Sequence, residues 1–263
     1  MELFRFKQGT KPLLLSMPHV GTHLPDALAR RMMPIARTVP DTDWHLEQLY
    51  DFAGQLGASI LVATHSRYVV DLNRPPDNAN LYPGQDTTGL CPIDTFAKQP
   101  LYRMGEEPDD TEIRHRVGTY WQPYHAKLQE ELARIREAHG SALLWDAHSI
   151  ASQVPRFFQG RLTDFNLGTS GGTSCRPEIG AKMIEIAKGA SGYTSILNGR
   201  FKGGYITRTY GKPAESVEAM QLELSEITYM DEPHPFGYRK DLASKVQPHL
   251  QAMLEAFLGF HRS

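Results

Sequence analysis

Four side chains far apart in this sequence have types suited to hydrolysis: His19, Asp43, His148 and Glu223. His19 follows Pro18 and precedes Val20-Gly21, on an abrupt turn after an apolar run. Such a turn aims an imidazole into a cleft, although a hydrogen-bonded loop histidine carries the same signature. His148 stands in Asp146-Ala147-His148-Ser149, just past the apolar Ala142 to Trp145. Two imidazoles and one carboxylate make a three-ligand divalent-metal site with an open position, zinc being the expected ion. Mn, Fe, Co and Ni accept the same donors. Asp43 is the expected carboxylate, with Asp41, Glu47 and Asp146 as rivals. The bland alternative is that Asp43 caps the helix that follows it. No compact motif such as H-E-x-x-H is present, so the set stands out only by its position in the fold. Glu223 lies in Met220-Gln221-Leu222-Glu223-Leu224. An acid between leucines either faces solvent or is placed for a purpose, and as a general base it takes a proton from the attacking water.

Arg67, Arg74, Arg200 and Arg208 fall near strand ends or glycine-bearing turns. Guanidinium forks match carboxylates bidentately, so the arginines, with Asn73 beside Arg74, suit an acidic ligand. Each taken singly is as well explained as a solvated surface residue. Gly203-Gly204 permits close approach of backbone to a ligand, or a tight turn. Tyr205 offers a hydroxyl to an oxyanion, or simply fills core.

Positioning these groups requires strands. Pro12 to Met17, Ser59 to Ala63, Tyr68 to Leu72, Ala142 to Trp145, Tyr193 to Leu197 and Ala219 to Leu224 read as strands. Asp43 to Leu56, Asp110 to His139, Pro177 to Ala187 and Asp241 to Phe260 have helical spacing of apolar residues. Pro123 should kink the second of these helices. Alternation of strands and helices predicts an α/β fold: a mainly parallel mixed sheet with helices on both faces. Ligands of such sheets gather at the carboxyl ends of strands, where most of the residues above fall. Residues 77 to 109, rich in Pro, Gly, Asp and Thr, form a long loop insertion, and its first part is the expected lid. No repeat or composition break divides the chain, so residues 1–263 are read as one domain.

Composition narrows the function classes. Of 263 residues 40% are hydrophobic, enough for a sizeable core, and net charge is −2. Without a basic surplus, nucleic acid is a poor partner. Cys91 and Cys175 form no CxxC pair and no disulfide framework. Met1 to Lys11 lacks the apolar region of a signal peptide. No apolar run approaches the roughly 18 residues needed to span a bilayer. A cytoplasmic protein with a small-molecule partner is expected, and oligomeric state is left open.

Several longer stretches resemble the N-formylglutamate deformylases, or N-formylglutamate amidohydrolases, of bacterial histidine degradation. They are Pro18-His19-Val20-Gly21-Thr22, DTDWHLEQLYDFA from Asp41, SRYVVDLNRPPD from Ser66 and LYPGQDTTGLCP from Leu81. YWQPYH from Tyr120, LWDAHS from Leu144, NGRFKGGYITRTYG from Asn198 and MQLELSEITYMDE from Met220 complete the set, in order along nearly the whole chain. The resemblance implies a zinc-exopeptidase-like (phosphorylase/hydrolase-like) fold and hydrolysis of N-formyl-L-glutamate to formate and L-glutamate. The order His19, Asn73-Arg74, His148, Glu223 is also similar to that of zinc carboxypeptidase sites. Those enzymes carry an acid three residues after their first histidine, whereas position 22 here is Thr. Other readings are a deacylase or peptidase for another acidic N-acyl amino acid, and a non-catalytic dicarboxylate-binding protein.

Overall fold

The computed structural model describes residues 1–261. Its seven strands are β1 (Phe4–Lys7), β2 (Leu13–Met17), β3 (Ser59–Ala63), β4 (Ala142–Ile150), β5 (Phe165–Gly168), β6 (Ser195–Leu197) and β7 (Val217–Ser225). They join in one mixed sheet in the order β1-β3-β2-β4-β7-β5-β6. The β3–β2, β2–β4, β4–β7 and β5–β6 pairs are parallel, while β1 on β3 and β5 on β7 are antiparallel.

Alternate residues of the central strands feed two cores, as expected when both faces of a sheet are covered. Leu13, Leu15, Leu143, Trp145, Met220 and Leu222 belong to one core, which is closed by the helices Pro177–Gly189 and Lys240–Leu258. Leu14, Leu144 and Ala219 belong to the other, under the helix Gln122–His139. That helix continues Asp110–Arg116 through one π-helical turn, Val117–Trp121. The π turn lies just before Pro123, whose missing N–H and bulky ring disfavour an ordinary α turn there. No helix among the described residues is long and apolar enough to cross a membrane. Cys91 and Cys175 are free and buried.

Three elements differ from the sequence expectation. Tyr68 to Leu72 is buried but is not a strand. The Ser66 hydroxyl accepts the Tyr68 N–H and the Asp71 carboxylate accepts the Asn73 N–H, so local side-chain turns displace a strand ladder. The helix expected over Asp43 to Leu56 is broken into short turns at Leu46–Leu49 and Asp51–Gly54. It cannot begin at Asp43, because the Asp43 N–H is held by the His19 carbonyl at 3.0 Å and His45 takes a left-handed conformation. Asp43 is therefore not a helix cap. Finally, β4 does not stop at Trp145 but pairs with β7 as far as Ile150, so His148 is a strand residue. β1, β5 and the helix Tyr205–Tyr210 were not foreseen.

Candidate active site

The alternation that builds the second core also builds the site. Beyond Leu144 on β4, the same face presents Asp146 and His148; beyond Ala219 on β7 it presents Gln221 and Glu223. Parallel register sets Asp146 opposite Gln221 and His148 opposite Glu223. Apolar side chains thus give way to polar ones toward the carboxyl ends of both strands. The polar residues remain buried, His148 at 3% and Glu223 at 8% exposure.

His19 reaches the same place from the end of β2, and Asp43 from the segment tied to the His19 carbonyl. The His19 and His148 rings lie 4.9 Å apart. One donor atom from each of His19, Asp43 and His148 falls within 4.8 Å of the others, and all three residues are buried. Nδ1 of His148 is 3.0 Å from Asp43 Oδ2, and Nδ1 of His19 is 3.7 Å from it. The far nitrogen of each ring meets another carboxylate: His19 Nε2 at 2.7 Å from Asp71, His148 Nε2 at 3.1 Å from Asp146. Asp71 in that position takes the His19 Nε2 proton and turns its Nδ1 lone pair toward Asp43, as a ligating histidine requires, while His148 presents Nδ1 to Asp43 with Asp146 and the Asn73 amide nitrogen beside its Nε2. Two imidazole nitrogens, one carboxylate and two orienting carboxylates fit a divalent cation.

The rival carboxylates have other partners. Asp146 orients His148; Asp41 accepts the Tyr68 hydroxyl and the Phe96 N–H; Glu47 pairs with Arg5 at the surface.

A cavity of about 80 Å³ opens over the cluster, lined among others by His19, His148 and Glu223. Arg67, Arg74 and Arg200 line it together. Arg67 is already engaged, donating to Asp71 at 2.7 Å and lying 3.8 Å from Asp43. Arg74 lies 4.0 Å from Asp71 and reaches Thr88. Arg200 makes no ion pair among the described residues; its Nε donates to the Phe157 carbonyl, and the rings of Tyr82, Phe157 and Phe201 surround its guanidinium. Asn73 lines the cavity, but its amide nitrogen lies 2.9 Å from His148 Nε2 and its oxygen accepts the Ile206 N–H. Arg208 and Tyr205 are not brought to the cavity. Arg208 donates to the Gly203 and Leu81 carbonyls, and Tyr205 packs on Trp121 and His125.

Burial and charge set the protonation states. Burial opposes charge on His148, but Asp146 and Asp43 outweigh it and hold its pKa well above the usual range. For His19, burial and the Arg67 cation prevail over Asp71 and Asp43 and lower it. Asp71 is lowered well below the carboxylate range, the attraction of His19 and Arg67 exceeding its burial. Glu223 is raised to about 8, burial being the largest cause.

Asp71, Gln221, Tyr82 and Phe96 complete the surroundings without having been assigned roles from sequence. Asp71 was visible beside Asn73, and its position two residues ahead of an arginine-bearing turn was the available signal. Tyr82 and Phe96 come from the 64–109 stretch, which contains no strand or helix. This stretch is clasped by Arg156, which bonds Asp86, Asp94 and the Thr95 carbonyl.

Comparison with known proteins adds four findings. Residues 11–230 match the model of a family described as N-formylglutamate amidohydrolase. The chain is 52% identical over 261 residues to N-formylglutamate deformylase of Pseudomonas aeruginosa, covering 99% of this chain and 98% of that protein. It is 50% identical to N-formylglutamate deformylase of Pseudomonas putida, covering 98% and 97%. Its fold is similar to the crystal structure of N-formylglutamate amidohydrolase from Ralstonia eutropha JMP134, with TM-score 0.83, 24% identity and 98% of each chain covered.

Proposed function

The chain belongs to the N-formylglutamate amidohydrolase family, and from that premise we propose that it hydrolyses N-formyl-L-glutamate to formate and L-glutamate with a divalent metal, zinc, held by His19, Asp43 and His148. A cation bound there supplies Lewis acidity, polarising the formyl carbonyl and lowering the pKa of water to roughly 7. The chain's own residues do the rest. Glu223, facing the cluster from β7, takes the proton of the attacking water. The water oxygen joins the formyl carbon, the C–N bond breaks, and Glu223 passes its proton to the departing amine. Arg67, fixed by Asp71 beside the cluster, faces the negative charge that develops on the carbonyl oxygen. Arg74 and Arg200 bind the two substrate carboxylates.

The observation that carries the substrate class is the gathering of three guanidinium groups in one buried cavity, one of them, Arg200, without a carboxylate partner among the described residues. An unpaired cation held in a half-buried aromatic setting favours a ligand that brings its own carboxylate. The test compares N-formylglutamate with N-formylnorvaline, which lacks the distal carboxylate. Metal-loaded protein should release formate from the first with kcat/KM at least about 100-fold higher. Elemental analysis should give about one zinc per chain. Equal turnover of both amides, or full activity in Glu223→Gln, overturns the proposal.

A further inference from the structure

A second cavity, of about 220 Å³, adjoins the catalytic one. Both are lined by Phe96, Ser149 and Ile150. Arg74, Arg200 and Tyr82 line the catalytic cavity and not the second. Phe96, Ser149 and Ile150 thus form the wall the two cavities share. Arg67, assigned above to the carbonyl oxygen, lies over the Phe96 ring at 4.8 Å, so a substrate whose carbonyl faces Arg67 sets its acyl side against that wall.

We propose that Phe96 is a specificity-determining partition that limits the acyl group to formyl, and that the chamber behind it is a latent subsite for longer acyl chains. The inference rests on the deacylase reading above. Phe96 is held as a partition must be. Its N–H donates to Asp41 at 2.9 Å, and its ring lies under the Arg67 guanidinium at 4.8 Å and edge-on to Phe157 at 4.9 Å. The turn that presents it is closed by Thr95 and Gln99, which exchange backbone and side-chain hydrogen bonds. The second cavity, about 220 Å³ against about 80 Å³, has room for a short acyl chain, and Phe96 lines both. Its walls include Ile150, Ala151, Val154 and Phe236, surfaces that suit methylene groups.

The chemistry on a longer substrate would be unchanged: water oxygen joins the acyl carbon, the C–N bond breaks, and the amine takes the proton. The experiment measures kcat/KM for N-formyl-, N-acetyl- and N-butyrylglutamate with the metal-loaded wild-type, Phe96→Ala and Ile150→Ala proteins. The expected result is strong preference of the wild type for formyl, and an acetyl-to-formyl ratio raised about tenfold or more in Phe96→Ala, one methyl in an apolar pocket being worth about that much. Phe96→Leu serves if the alanine variant does not fold. Binding of the same three ligands to metal-loaded Glu223→Gln protein, with and without Phe96→Ala, reads the partition without turnover. No formate release by the wild type sinks the underlying reading and the partition with it. Formate release with an acyl-length profile unmoved by Phe96→Ala, Phe96→Leu and Ile150→Ala sinks the partition alone.

Discussion

Burial raises the Glu223 carboxyl from its ordinary 4.5 to about 8, so at neutral pH the metal-free protein keeps a proton there that the unfolded chain releases. The protonated group favours the fold below 4.5, and this contribution is lost as pH rises through 8. Glu226, raised well above its range by burial first and then by Asp43, acts in the same direction. His148, held above its range by Asp146 and Asp43 despite burial, does so too. The lowered His19, His65 and His125 oppose them, but only below about 6.5, where unfolded imidazoles charge. Between pH 6.5 and 8 the folded, metal-free protein therefore binds more protons than the unfolded one. Its urea midpoint should fall across that window, and fall less in Glu223→Gln. Asp71 offers a second prediction. Since it orients the His19 ring, Asp71→Asn should weaken zinc affinity about 10–100-fold in a competition titration with a chelating dye. His19, His148 and Glu223 were legible in the sequence because their types are conspicuous beside apolar runs. Asp43 was legible as a carboxylate but ambiguous as a ligand, because a helix cap and a metal donor look alike until the backbone is traced. Tyr205 and Arg208 sit on the unforeseen helix Tyr205–Tyr210 and do not line the cavity, Arg208 lying over the ring of Tyr82 in its wall.

At the level of elements, the site depends on strand ends meeting a loop that has no ladder of its own. Gly204 shows how closely they meet: a Cβ there would stand 2.3 Å from the Asn73 amide nitrogen. That amide touches His148 and accepts the Ile206 N–H through its oxygen, while the Asn73 main-chain carbonyl accepts the Tyr205 N–H. Gly204→Ala should consequently lower kcat/KM by at least about tenfold through displacement of Asn73, with a melting-temperature loss of only a few degrees. A large loss of melting temperature with normal kinetics would count against this. The central strands were readable because both faces are covered, which makes β2 and the first half of β4 nearly continuous apolar runs, while β7 alternates apolar residues with Gln221 and Glu223. β1 was missed because its alternating exposure includes Arg5 and Lys7, and β5 because it is only four residues long. Tyr68 to Leu72 read as a strand because periodicity reports burial, and burial there is real; what periodicity does not report is competition from the Ser66 and Asp71 side chains.

Across the whole molecule, a cation would tie the end of β2, β4 and the segment that bears Asp43 at one point, adding to the β2–β4 pairing and the Asp43 to His19 backbone bond. Chelation should abolish formate release and lower the melting temperature, and zinc should restore both. At a free concentration 100 times its dissociation constant, the gain in unfolding free energy is about 2.7 kcal/mol. The Arg156 clasp leads to a further expectation. It fastens residues 86 to 95 to the turn after Ile150 with side-chain and carbonyl bonds; these residues belong to no strand of the sheet and are otherwise held by backbone bonds from Asp71 to Leu90 and from Leu101 to Ile93. That part of the wall can breathe without melting a single strand. Amide hydrogen exchange should resolve two populations, a fast one over residues 77–95 and a slow one over β4 and β7, and Arg156→Ala should quicken only the first. Substrate traffic would then run on a clock set by this loop's own few ties, the Arg156 guanidinium among them, independent of the lifetime of the folded sheet.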